Sequence, residues 1–114
     1  MRTFTFFSAI AASASQTSPE FDVDCGKDMR WLLQVTKAGT DGDPKLTIEE
    51  TIDGTTWTPI ENPETFDTYF LLDTSPVGIK DSYFMGRKMR LKLEPNGTTT
   101  GTVSASMSVK TKSG

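Results

Sequence analysis

Apolar and polar residues alternate in short runs, cut by clusters of Gly, Pro, Asn, Asp and Thr, and this alternation most constrains the fold. A period of two puts successive side chains on opposite faces of an extended backbone, so each run reads as a strand with one core face and one wet face. The strongest run is Arg30 to Lys37: Trp31, Leu33 and Val35 point one way, and Arg30, Leu32, Gln34 and Thr36 the other. Near the C-terminus, Arg87 to Glu94 sets Met89, Leu91 and Leu93 against Lys88, Arg90, Lys92 and Glu94. Gly101 to Lys110 likewise sets Val103, Ala105, Met107 and Val109 against Thr102, Ser104, Ser106, Ser108 and Lys110.

Weaker runs fill the rest of the chain. Arg2 to Phe7 places Phe4 and Phe6 on one face, and Glu20 to Asp24 does the same for Phe21 and Val23. In Lys45 to Ile52, the residues Leu46, Ile48, Glu50 and Ile52 are in phase, with Glu49 toward solvent. Asp53-Gly54 then predicts a tight hairpin with return through Thr55 to Ile60, where Pro59 calls for a bulge or a sheet edge. Phe66 to Leu72 and Val77 to Asp81 read as further strands, separated by Asp73-Thr74-Ser75-Pro76. Roughly eight or nine strands at this spacing predict an all-β fold, a single antiparallel β-sandwich of jelly-roll or immunoglobulin-like type. Residues 1–114 are expected to form one domain, with residues 1–17 as an N-terminal arm or as a first strand and loop. A chain of this length buries about two thirds of its unfolded surface, enough for one core without disulfides or metal.

Composition narrows the chemistry. Histidine is absent, which removes the usual general base, the commonest nitrogen ligand of zinc and the usual activator of a Ser or Cys nucleophile. No Gly-x-Ser-x-Gly elbow or phosphate-cradling glycine motif is present, so the chain is not expected to be an enzyme or to carry a cofactor. The net charge of -3 and dispersed acids argue against nucleic acid as a partner, and no apolar stretch is long enough for a membrane-spanning helix. Cys25, the single cysteine, reads as a small buried reduced side chain. Residues 1–14 imitate a secretory leader, but one cation precedes an apolar stretch broken by Thr3, Thr5 and Ser8; we read a retained strand and small-residue loop.

Asp41-Gly42-Asp43 and Asp53-Gly54-Thr55 look like fragments of calcium loops, yet Asp-Gly is also a common way to write a tight turn, which is our reading. Glu49-Glu50 could offer a carboxylate pair of the glycosidase kind, but solvated carboxylates are the simpler reading. Lys88, Arg90 and Lys92 form a cationic stripe that can meet an acidic partner or guard against edge pairing.

One segment order resembles the small virion proteins of tailed bacteriophages. It runs from a small-residue loop through Trp31-Leu32-Leu33-Gln34-Val35 and Leu46-Thr47-Ile48-Glu49 to Ile52-Asp53-Gly54-Thr55-Thr56-Trp57-Thr58-Pro59-Ile60, with a later return through residues 87–93. The resemblance covers residues 8–110 as a layout, and its specific motif is residues 52–60. It implies a virion structural protein, either a capsid decoration (cement) protein or a neck or tail component. Such a protein binds the major capsid protein or other virion proteins, is assembled in the host cytoplasm, and forms a homo-oligomer or an array. Phe4, Phe6, Phe7 and Ile10 would then suit strand addition to a neighbouring subunit. A run of the same kind also occurs in sugar-binding sandwiches. A carbohydrate-binding module using Trp57, Tyr69 and Tyr83, or a secreted binding protein, is therefore the alternative; no other small-molecule ligand is expected.

Overall fold

The computed structural model describes residues 2–22, 29–62, 64–80 and 88–111. The strands are β1 (Arg2–Ala11), β2 (Gln16–Thr17), β3 (Phe21–Asp22), β4 (Met29–Ala38), β5 (Lys45–Thr51), β6 (Thr58–Pro59), β7 (Phe70–Leu71), β8 (Val77–Lys80), β9 (Lys88–Glu94) and β10 (Thr102–Thr111). One sheet has the order β1-β10-β4-β8. In the other, β9 and β5 are central, with β2 and β3 pairing β9 and with β6 and β7 pairing β5. Every pairing is antiparallel, and the two sheets pack face to face as a β-sandwich.

The alternating runs supply the core. Leu33, Val35, Val103, Met107 and Val109 from one sheet meet Leu46, Ile48, Met89, Leu91 and Leu93 from the other, all fully buried. Each contributes about 1.5–3 kcal/mol relative to an exposed side chain of its size. Their polar neighbours face outward and give the two sheets different outer surfaces. The four-stranded sheet shows Thr3, Thr5, Ser104, Ser106, Gln34 and Thr36, whereas the other shows Lys45, Glu49, Arg90, Lys92 and Glu94.

Several expected strands differ in extent, each for a local reason. β1 continues to Ala11 and buries both Phe6 and Phe7, because the register shifts between Thr5 and Phe7 and the extra residue turns both rings inward. A second shift before Ile10 carries Ala9 at φ 49°, its N–H bonded to Ser104 Oγ at 2.9 Å. Phe21 is half-buried and closes this side of the sandwich, with ring centroids 5.3 Å from Phe4 and 5.1 Å from Phe6. Between β2 and β3, Pro19 cannot extend the ladder, and buried Ser18 bridges the gap: its N–H donates to Leu91 O and its Oγ accepts from Leu91 N–H.

β5 stops at Thr51, so Ile52 is not in the core but 79% exposed. Of the expected strand from Phe66 to Leu72, only Phe70–Leu71 pairs, because Asn62 and Glu64–Asp67 are held in a turn by Asn62 N–H to Asp67 O and Phe66 N–H to Asn62 O. At the loop end of the sandwich, Gly101 sits at φ 97°, and a Cβ there would lie 2.6 Å from Ala38 O and from Thr40 N, so only glycine fits. Val23, Asp24, Cys25, Asp81, Tyr83 and Arg87, each given a place by the sequence, lie outside the described residues.

Candidate functional site

The hairpin expected at Asp53-Gly54 is a longer loop organised by one carboxylate. Strand pairing ends at Glu50↔Thr58, leaving residues 52–57 to turn the chain. Asp53 Oδ1 accepts from Thr56 N–H, Thr55 N–H and Thr51 Oγ–H at 2.8, 2.9 and 3.1 Å. Those donors, with Thr56 foremost, hold the carboxyl well below its ordinary value of 3.8. Thr51 is drawn inward to take part, and its Oγ also accepts from Gly54 N–H, which is why the alternation of β5 fails at its last residue.

This loop lays Trp57 across the outer face of the β9–β5 pair. The Arg90 guanidinium carbon lies 4.1 Å from the Trp57 ring centroid, and Arg90 Nε donates to Glu49 Oε1 at 2.7 Å. The register fixes this meeting, because Glu49 stands opposite Arg90 in the ladder. The covered pair retains little exposure, 23% for the Arg90 side chain and 12% for Glu49. On the same face, Lys45 Nζ lies 4.5 Å from the Tyr69 ring centroid. Lys45 and Glu49 are four residues apart on β5, so the two aromatic–cation stacks stand roughly 13 Å apart.

The cationic stripe is therefore not three free charges. Arg90 is committed to Glu49 and Trp57, Lys88 is half-buried opposite Thr51, and Lys92 opposite Thr47 is exposed. The N-terminal residues lie elsewhere. Phe6 and Phe7 are buried in the core, and Phe4 and Ile10 pack half-buried against it. Their side chains thus fill their own sandwich, and residues 2–11 are its first strand rather than a projecting arm.

The acidic turn at Asp41 is likewise architectural. Its Oδ1 accepts from Thr99 and Thr100 N–H at 2.8 and 3.2 Å, and its Oδ2 from the Thr99 hydroxyl. These bonds, led by the Thr99 hydroxyl, lower the carboxyl from 3.8 to about 2. A carboxylate whose oxygens already accept several N–H and O–H donors is organised for a turn, and among the described residues no group of three or more acid or cysteine side chains is placed so that it could hold a metal ion. Sequence reasoning named Glu49, Arg90 and Trp57 separately and missed their union, since only the β5–β9 register brings them together. Compared with models of known protein families, with curated proteins and with solved structures, the chain finds no match.

Proposed function

We propose that the chain is a non-enzymatic structural protein of a tailed-bacteriophage virion, a capsid decoration protein or a neck or tail component, that binds capsid or neighbouring virion proteins. One observation carries this reading: the two stretches on which the resemblance rests form a single packed unit. Trp57 of the Asp-Gly-Thr-Thr-Trp loop stacks on Arg90 of the later chain return, and Arg90 pairs with Glu49 of the strand that leads into the loop. Residues far apart in the chain thus belong to one structural device, as expected if the layout is inherited whole.

Mass spectrometry of density-banded particles from a culture producing the encoding virus tests the proposal. The chain is expected at a fixed ratio to the major capsid protein and retained through a salt wash; its absence from otherwise complete particles would overturn the reading. The carbohydrate alternative draws support from Trp57 and Tyr69 sharing one sheet face. It predicts retardation in polysaccharide affinity gels that disappears in Trp57→Ala.

A further inference from the structure

We infer that β8 is a strand-accepting edge, and that the cleft beside it takes an extended segment of a partner protein in which basic residues flank an apolar one. This names the chemistry of a partner and rests on the assembly reading only for the source of that segment.

The open edges of the sandwich differ sharply. β1 has two register shifts and a left-handed Ala9, which interrupt the even row of N–H and C=O groups that an added strand needs. β2, β3, β6 and β7 are two residues each, and β6 includes Pro59, which has no N–H to offer. β8 pairs with β4 without a shift, from Val35↔Val77 to Leu32↔Lys80, and no strand among the described residues pairs with its other side.

A cleft of about 580 Å³ runs between that edge and the stretch carrying β7. Its apolar part comprises Phe70 and Ile79, both nearly buried, the half-buried Val77, and Leu71, which is 40% exposed. Its rim carries the exposed carboxylates Glu64, Asp67 and Asp73, and among the described residues no Lys or Arg side chain lines it. Lys45 stands close by, held over the ring of Tyr69, which borders the cleft. The rim is preorganised: Asn62 N–H donates to Asp67 O at 2.7 Å and Asn62 Oδ1 accepts from Glu64 N–H at 3.0 Å.

These features specify an occupant. A strand laid along β8 alternates its side chains, those facing in lying beside Val77 and Ile79 and those facing out lying beside Gly78. An inward apolar residue covers Phe70 and Ile79, and inward cations on either side reach the carboxylate rim. Main-chain bonds to β8 supply affinity, and the alternate pockets supply selectivity. An acidic segment is excluded by like charges at the rim.

Fluorescence anisotropy with two labelled peptides tests this on the intact chain: TKTITKT, whose alternate residues are Lys, Ile and Lys, and TETITET, its glutamate counterpart. The lysine peptide is expected to bind about tenfold or more tightly than the glutamate peptide, a difference of about 1.4 kcal/mol. Asp67→Asn and Asp73→Asn, both at exposed positions, are each expected to weaken the lysine peptide about twofold to fivefold and to flatten its salt dependence. Amide shifts in the complex should map to β8, β7 and the turn at Glu64–Asp67. Equal affinity of the two peptides, binding of neither, or shifts that map to β1 would each overturn the inference. None of these outcomes bears on whether the chain is found in particles, so the two readings fail separately.

Discussion

Replacing Glu49 by glutamine removes the carboxylate that pairs with the Arg90 guanidinium under Trp57. Fully exposed ion pairs contribute about 0–1 kcal/mol, whereas removing one partner of a fully buried pair costs about 3–5 kcal/mol. With side-chain exposures of 23% for Arg90 and 12% for Glu49, this pair lies between the two limits. After discounting for solvent screening, Glu49→Gln is expected to cost about 2 kcal/mol, or about 8 °C in Tm for a chain of this length. Arg90→Met keeps the apolar stem but leaves Glu49 uncompensated and takes the cation off the Trp57 ring, so a loss of about 2–3 kcal/mol is expected. In the double variant neither charge remains stranded, and its loss should fall short of the sum of the singles by about 1–2 kcal/mol. Urea unfolding followed by far-ultraviolet circular dichroism measures all four corners of the cycle without relying on Trp57 fluorescence, which the substitutions themselves disturb. Single losses below about 0.5 kcal/mol that simply add would refute the argument and reduce the stack to a solvated surface contact.

Three further outcomes follow from the same structure. Phe7→Ala empties a buried site beside Ala105 and is expected to cost about 3–5 kcal/mol, while deletion of residues 1–12 removes β1 entirely and should abolish the folded circular-dichroism signal; a folded truncated monomer would contradict the placement of β1. Asp41 has a folded pKa of about 2 against an ordinary 3.8, so its contribution is complete above the ordinary value and is lost as pH falls through 2; Asp41→Asn should therefore flatten the fall of Tm across that window. Thr98 Oγ1 is buried with no hydrogen-bond partner among the described residues, so Thr98→Val, which keeps the shape and drops the hydroxyl, is expected to raise stability by about 1 kcal/mol, read as about 4 °C in Tm.

The all-β class and the inward faces of β4, β9 and β10 were legible because their alternation is unbroken over long runs. Trp31, Leu33 and Val35, or Met89, Leu91 and Leu93, leave no second choice of face. The reading failed where a polar side chain, rather than periodicity, decides the backbone. Ile52 is in phase with Ile48, yet Thr51 turns inward to bond Asp53 and Gly54, and the strand ends one residue before the pattern does. Phe7 is out of phase with Phe4, yet a bulge buries it, and a bulge leaves no mark in composition. Hydrophobicity puts Phe66 in a strand, but it stands 74% exposed at φ 63°, held out by the Asn62 turn. The Trp57–Arg90–Glu49 stack was hidden for another reason: it depends on which strands are neighbours, and residue spacing does not encode strand order.

The two edges of the four-stranded sheet are built for opposite purposes, and the difference begins in their connections. No strand among the described residues pairs with the outer side of β1, and its bulges make that side a poor template, which is how long edge strands avoid unwanted pairing. β8 is short, but its approach is fastened to β4. Ser75 Oγ accepts from Lys37 N–H at 3.1 Å and donates to Lys37 O at 3.2 Å, two residues before the ladder begins at Val77↔Val35. A strand edge fixed at its start has little conformational freedom left to lose when another strand arrives, so ordering takes a small share of the binding free energy. The main-chain contribution is then nearly the same for any extended segment, and discrimination passes to the side chains that face Phe70, Ile79 and the carboxylate rim. The Lys-for-Glu exchange in the peptide therefore changes affinity through the rim alone, while β8 accepts both backbones equally.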